Sequence, residues 1–220
     1  MNSPAFLKAI QDEAAARGLR ATDVPSGSFE RLVQFHAAMA AENQVQNLTR
    51  LISHEDFIEG HLIDCFELTK TGWTGSELCA DLGSGCGVPG IPMAILNPAQ
   101  NWLLVESEAR KATFLEAAKA QLELNNIAIY PGRFESIRAG ALNPKTVVCR
   151  AVGSVLKVFR WSEHCSTWNN LILFKGPRWE EEWKEFQHSS EWKKLKITDE
   201  YSYQATPAMK SRKLIRLTRQ

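Results

Sequence analysis

The chain has 220 residues, 44% of them hydrophobic and 23% charged, with 26 Lys and Arg against 25 Asp and Glu for a net charge of +1. This is a globular composition, long enough to bury a core without metals or disulfides, and it excludes fibrous, disordered and disulfide-scaffold classes. The longest apolar runs, such as Asn170–Phe174, are far too short to cross a bilayer, and Met1-Asn-Ser-Pro-Ala has no basic, apolar leader pattern. Five cysteines (65, 79, 86, 149 and 165), odd in number and without C-x-x-C, argue against a disulfide framework and a zinc site. A reducing, cytoplasmic setting and a monomer are the expectations, with no metal and no membrane partner.

In chain order, Ser3-Pro4 reads as an N-cap with proline at the first helical position, and Phe6, Leu7, Ile10 and Ala14 share one face before Gly18. A turn at 25–28 leads to a second helical pattern through Phe29, Leu32, Val33, His36 and Met39. Ser53, with Asp56 three residues on, caps a third helix carrying Phe57, His61, Leu62, Cys65 and Phe66. Residues 1–72 are therefore expected to form a helical extension packed on a main domain over 73–220.

From Glu77 the texture changes. Apolar runs at 78–82, 102–105, 127–130, 146–149 and 171–174 alternate with helical stretches near 90–97, 109–124 and 154–164. That alternation predicts an α/β fold with a mainly parallel sheet covered on both faces. Two strand-like runs at 195–203 and 213–218, joined by a proline-containing turn, predict an antiparallel pair at the sheet edge. Trp179 and Trp183 beside Glu180–Glu182 read as an amphipathic helix with a solvated acidic face.

The sharpest signal is Asp81-Leu-Gly83-Ser-Gly85-Cys-Gly87-Val88-Pro-Gly90, a strand running into a glycine-dense turn before a helix. Glycines permit a tight turn and close approach of a ligand to the backbone. The spacing is G-x-G-x-G, whereas a dinucleotide site has G-x-G-x-x-G, and a carboxylate two residues before the first glycine suits a cationic ligand better than a phosphate. Glu106 ends the next strand, where an acid accepts both hydroxyls of a ribose. Together they describe S-adenosylmethionine better than NAD; the plainer alternative has Asp81 capping the next helix and Glu106 solvated.

These residues resemble the ribosomal RNA small subunit methyltransferase G family, also called glucose-inhibited division protein B. The resemblance extends over about residues 43–176 through Asn43-x-x-x-Asn47-Leu-Thr49, His61-x-x-Asp64, Glu106-Ser107, Arg110-Lys111-x-x-Phe114-Leu115, Arg133-Phe134-Glu135, Cys149-Arg150-Ala151 and Lys175-Gly176. Glu42, Gly60 and Cys65 depart from the family's usual tryptophan, arginine and serine. The resemblance implies a class I, Rossmann-like methyltransferase fold and methylation of a guanine N7 in 16S rRNA, as free rRNA or in the 30S subunit. It also implies a cofactor pocket lined by Gly83, Gly85, Val88, Phe134, Glu135 and Arg150.

Guanine N7 carries a lone pair and no proton, so no general base is expected and positioning supplies the catalysis. Cys149 is expected to be a buried small residue, not a nucleophile. Arg133, Arg150 and Lys175 each follow a predicted strand, which puts them at the carboxyl end of the sheet as one basic patch for RNA phosphates or guanine O6. His61 and Asp64, three apart, are expected to share a helix face, hydrogen-bond to each other and contact RNA. The basic cluster Lys210, Arg212, Lys213, Arg216 and Arg219 fits phosphate contact or edge protection equally. A methyltransferase acting on a small molecule or protein, and a non-enzymatic ribosome-assembly module, stay open as alternatives of the same fold.

Overall fold

A computed structural model describes residues 4–138, 140–206 and 211–220; the expected Ser3 cap, the turn proline Pro207 and Lys210 lie outside them. Four helical segments come first: α1 (Pro4–Ala16), α2 (Ser28–Glu42), α3 (His54–Phe57) and α4 (Ile63–Thr71). As expected, Ser53 Oγ accepts from the Asp56 amide at 3.0 Å. The third helix is not continuous, however, because a π-helical turn over Ile58–Leu62 joins α3 to α4.

Alternation follows: β1 (Cys79–Leu82), α5 (Gly90–Leu96), β2 (Trp102–Glu106), α6 (Ala109–Gln121), β3 (Ile127–Pro131), β4 (Thr146–Arg150), α7 (Val155–Ser162), β5 (Asn170–Lys175) and α8 (Trp179–Gln187). The chain closes with β6 (Leu195–Tyr203) and β7 (Arg212–Arg219). The seven-stranded sheet has the order β3-β2-β1-β4-β5-β7-β6; β1 to β5 are parallel, and β7 runs antiparallel between β5 and the edge strand β6. The order reverses between β1 and β4, and ligands of open α/β sheets bind at the carboxyl end of such a switch point.

Strand alternation divides the core into two layers. Cys79, Trp102, Leu104, Val148, Ile172 and Leu214 face one way, into a core shared with α1, α2, α4, α5 and α6. Ala80, Leu82, Leu103, Val105, Val147, Leu171, Leu173 and Ile215 face the other way, under α7 and α8. No helix among the described residues is long and apolar enough to cross a membrane.

Candidate active site

The glycine turn leaves β1 at the switch point. Gly83, Gly85 and Gly87 all have positive φ (+76°, +55° and +91°), where a side chain is strained. A Cβ on Gly83 would lie 2.8 Å from Val152 Cγ2, and one on Gly90 would lie 2.8 Å from Asp81 Oδ2. Two buried carboxylates pin this turn. Asp81 Oδ2 accepts from the Gly90 amide at 3.0 Å, while Glu106 accepts from Gly85 N (Oε2, 2.8 Å) and Glu108 N (Oε1, 2.8 Å). Asp81 thus caps α5, as the plainer reading has it, whereas Glu106 is buried, not solvated. Burial pushes the Asp81 carboxyl up to about 7, against the lowering effect of the Gly90 amide.

Beside the turn a cleft of about 420 Å³ brings together Gly83, Arg133, Phe134 and Glu135, all expected near the ligand. Val152, Lys157 and Trp161 line it as well, with Lys157 Nζ 4.8 Å from the Trp161 ring centre. Sequence reasoning missed these three; the signal was Ser154, whose hydroxyl caps α7 and so brings its first turns to the sheet's carboxyl end. Val88 is buried in the core beneath the turn rather than lining the cleft.

The basic patch expected from Arg133, Arg150 and Lys175 is not one patch. Arg133 follows β3, which is separated from β4 by β2 and β1, roughly 14 Å at ordinary strand spacing. Arg150 and Lys175 belong to neighbouring strands, but Arg150 pairs in register with Phe174. Lys175 is therefore one residue further on and turns to the opposite face. Arg133 is exposed and has no ion pair among the described residues.

Arg150 is spent inside the protein. Its Nε donates to Asp64 Oδ2 at 2.8 Å, Nη1 to His61 Nδ1 at 3.1 Å, and Nη2 to the Gly60 carbonyl. Asp64 Oδ1 also accepts from Tyr203 OH (2.7 Å) and Arg212 Nη1 (2.8 Å). His61 and Asp64 are 2% and 3% exposed, so the expectation that they touch RNA, or bond each other, is corrected: both bind Arg150. The π turn accounts for this, since it points Gly60 O and His61 at β4 instead of along α4. A Cβ on Gly60 would stand 2.6 Å from Leu51 Cδ1, which explains the glycine. Burial, then Arg150, push His61 down to about 3; the imidazole is neutral, with its proton on Nε2 near Thr49 Oγ1.

Arg212, expected at RNA, is directed inward to Asp64 and the Glu59 carbonyl. Lys213 pairs with Glu180 and Glu200, Arg216 with Asp199, and Arg219 lies 3.9 Å over the Trp168 ring. Lys213 and Arg216 thus bridge the edge strands β6 and β7, while Arg212 and Arg219 anchor β7 to Asp64 and to Trp168. Cys149 is buried, as expected, and burial pushes its thiol up to about 12. Lys175 lines a second cavity of about 420 Å³, which shares Val152 with the first, and it is ion-paired to Glu182 at 2.6 Å. Trp179 is buried on α8 and packs toward Trp183, while Glu180 and Glu181 are exposed.

A family model described as rRNA small subunit methyltransferase G matches residues 28–212. A Ribosomal RNA small subunit methyltransferase G of Rhodopirellula baltica is 37% identical over 76% of this chain and 71% of its own. One of Methylobacillus flagellatus is 33% identical over 73% of this chain and 77% of its own. Among solved structures, the B. subtilis M1A22 tRNA methyltransferase TrmK superposes with TM-score 0.52 at 16% identity, over 69% of this chain and 64% of that one. M. capricolum TrmK in complex with S-adenosyl-homocysteine gives TM-score 0.52 at 13% identity, over 70% and 67%. At such identities the structural likeness concerns the fold, which is that of the Rossmann-like methyltransferases. The sequence matches go further, and on them the chain belongs to the rRNA small subunit methyltransferase G family.

Proposed function

We propose that this protein transfers a methyl group from S-adenosylmethionine to N7 of a guanine in the 16S rRNA of the small ribosomal subunit. The observation that carries the reading is the cleft at the switch point, walled by the Gly83 end of a glycine turn that two buried carboxylates pin. The relatives' shared name supports the class of substrate.

The residues fit this cofactor. A carboxylate has about four acceptor positions, so Glu106, which uses two on backbone amides, keeps capacity for a ribose diol. Asp81 offers a buried anion to a cationic amino acid moiety, Gly83 and Gly85 allow backbone approach, and Phe134 with Glu135 line the adenine side. Val88 supports the turn from below, and Arg150 acts through the frame it builds with His61 and Asp64. When bound, the cofactor supplies a methyl group on a sulfonium, which N7 takes by direct displacement while the electron pair stays on sulfur.

The chain's own task is then to hold the base in line and keep water out. No side chain has to remove a proton, because N7 bears none, and the Cys149 thiol stays protonated at neutral pH. Arg133 and Lys175, which line one cavity each, are the cations we assign to RNA. Residues 1–72 serve as a helical extension of the methyltransferase domain over 73–220.

The test is transfer of labelled methyl to protein-free 16S rRNA, to unmodified 30S subunits and to duplex DNA, followed by strand cleavage at 7-methylguanine. Label on one guanine of the ribosomal RNA is the expected result. Cofactor binding without transfer to any RNA would refute the reading.

A further inference from the structure

The second cavity, at the carboxyl ends of β4 and β5, holds an ion pair that methyl transfer as such does not require. Lys175 Nζ donates to Glu182 Oε1 at 2.6 Å and to the Gly153 carbonyl at 3.1 Å, which uses two of its three donors. Glu182 Oε1 also accepts from Val155 N at 2.7 Å, while its Oε2 has no hydrogen-bond partner among the described residues. One lysine donor and one carboxylate oxygen are thus left side by side in the wall of a cavity that adjoins the cofactor cleft through Val152. Glu182 had the sequence signature of a solvated acidic face. Its side chain is nevertheless only 23% exposed, against 58% for Glu180.

We propose that Glu182, together with Lys175, reads the guanine: Lys175 donates to O6, and the free Oε2 of Glu182, with its two lone pairs, accepts from the adjacent N1–H and 2-amino group together. This rests on the guanine-N7 reading above. Guanine presents an acceptor beside two donors along that edge, which is the complement of a lysine beside a carboxylate. Adenine presents a donor where Lys175 donates and a lone pair where Glu182 accepts, so both protein groups would be left unpaired, the most discriminating kind of mismatch. The arrangement also suits the atom to be methylated. Arginine's usual bidentate contact to guanine covers N7, whereas contact along N1 leaves it open. The pair is neutral overall and does not oppose the positive charge that develops on the ring. Because this edge is engaged in any paired guanine, the target must be unstacked or single-stranded when bound.

The test uses the small-subunit RNA with guanine or inosine at the methylated position. Inosine keeps N7, O6 and N1–H and lacks only the 2-amino group. For the wild-type protein, kcat/KM should fall about 10- to 100-fold on inosine. In Glu182→Gln, Oε1 remains on Lys175 and Val155 and an N–H replaces the free acceptor. This variant should lose at least about tenfold on guanine while its inosine penalty shrinks below about threefold. Cofactor affinity by calorimetry should stay unchanged. An equal inosine penalty in both proteins, or a wild type indifferent to inosine, overturns the proposal. If Glu182→Gln melts early, Glu182→Asp takes its place: it keeps the charge on a shorter arm, and an inosine penalty equal to that of wild type overturns the proposal. Absence of any transfer to guanine by the wild type would instead overturn the parent reading, and it is seen separately in the guanine arm.

Discussion

Asp81→Asn separates the cost of the buried acid from its use. In the folded protein burial disfavours the charge of Asp81 and pushes its carboxyl up to about 7, well above the ordinary aspartate range. A raised carboxyl pKa means that the folded state keeps a proton which the unfolded chain has already released. Stability is therefore highest below about pH 4, falls as pH rises through 4–7, and stays at the lower level above 7. A carboxyl raised this far corresponds to about 4 kcal/mol at most. Asparagine keeps the acceptor for the Gly90 amide and removes the titration, but its own N–H groups need partners in a site built for an anion, a cost of about 1–3 kcal/mol. Asp81→Asn should then be no more stable than wild type at pH 4.5 and more stable by about 1–3 kcal/mol at pH 8, where the same protein binds S-adenosylmethionine far more weakly. Paired urea melts across pH 4.5–8 isolate this one group, since all other titrations cancel in the difference. A mutant-minus-wild-type difference that does not change with pH would refute the reasoning.

Other consequences follow from the same contacts. Asp64→Ala leaves Arg150 and Arg212 without their buried carboxylate and should cost about 3–5 kcal/mol in urea unfolding; a loss under 1 kcal/mol, by the ~1 kcal/mol yardstick of an ordinary surface pair, would make the network ornamental. His61, depressed to about 3, contributes stability that is present above the ordinary histidine value and lost as pH falls below about 6.5; its imidazole NMR signals should not move between pH 8 and 5. Gly83→Ala pushes a methyl into Val152 at a φ of +76° and should reduce cofactor affinity at least about tenfold, a loss that Val152→Ala should only partly recover because φ stays strained. Arg133→Gln should lower RNA methylation with a melting temperature within a degree or so of wild type, since the side chain is exposed without an ion pair.

Much of the frame was legible because it depends on local rules. Apolar runs bounded by turn residues located the strands to within a residue or two, and Ser53 and Ser154 both cap helices as their types suggest. What was not legible depends on register between segments distant in the chain. Alternation says that Arg150 and Lys175 end their strands; only the Arg150–Phe174 pairing says that they face opposite ways. The His61–Asp64 expectation failed because i,i+3 spacing presumes α-helical geometry, and nothing in the residues 58–62 announces a π turn. Glu182 was hidden in a run of three glutamates of which one turns inward.

The opposite facing of Arg150 and Lys175 gives the site a division of labour. On one face, Arg150 binds the π turn, Asp64 and, through Asp64, Arg212 and Tyr203, so its donors are engaged before any ligand arrives. A buried network of this kind brings little net stability over an apolar core, but removing one partner is severe; its role is to hold β4 against the helices beside the glycine turn. On the other face, Lys175 and Glu182 keep one unused donor and one unused carboxylate oxygen toward a cavity. Substitutions at 64 and 150 should therefore appear first in unfolding curves and only secondarily in turnover. Those at 175 and 182 should appear in kcat/KM for RNA while the cofactor still binds. If both pairs lowered stability equally and spared turnover equally, the split between a structural face and a substrate face would be wrong.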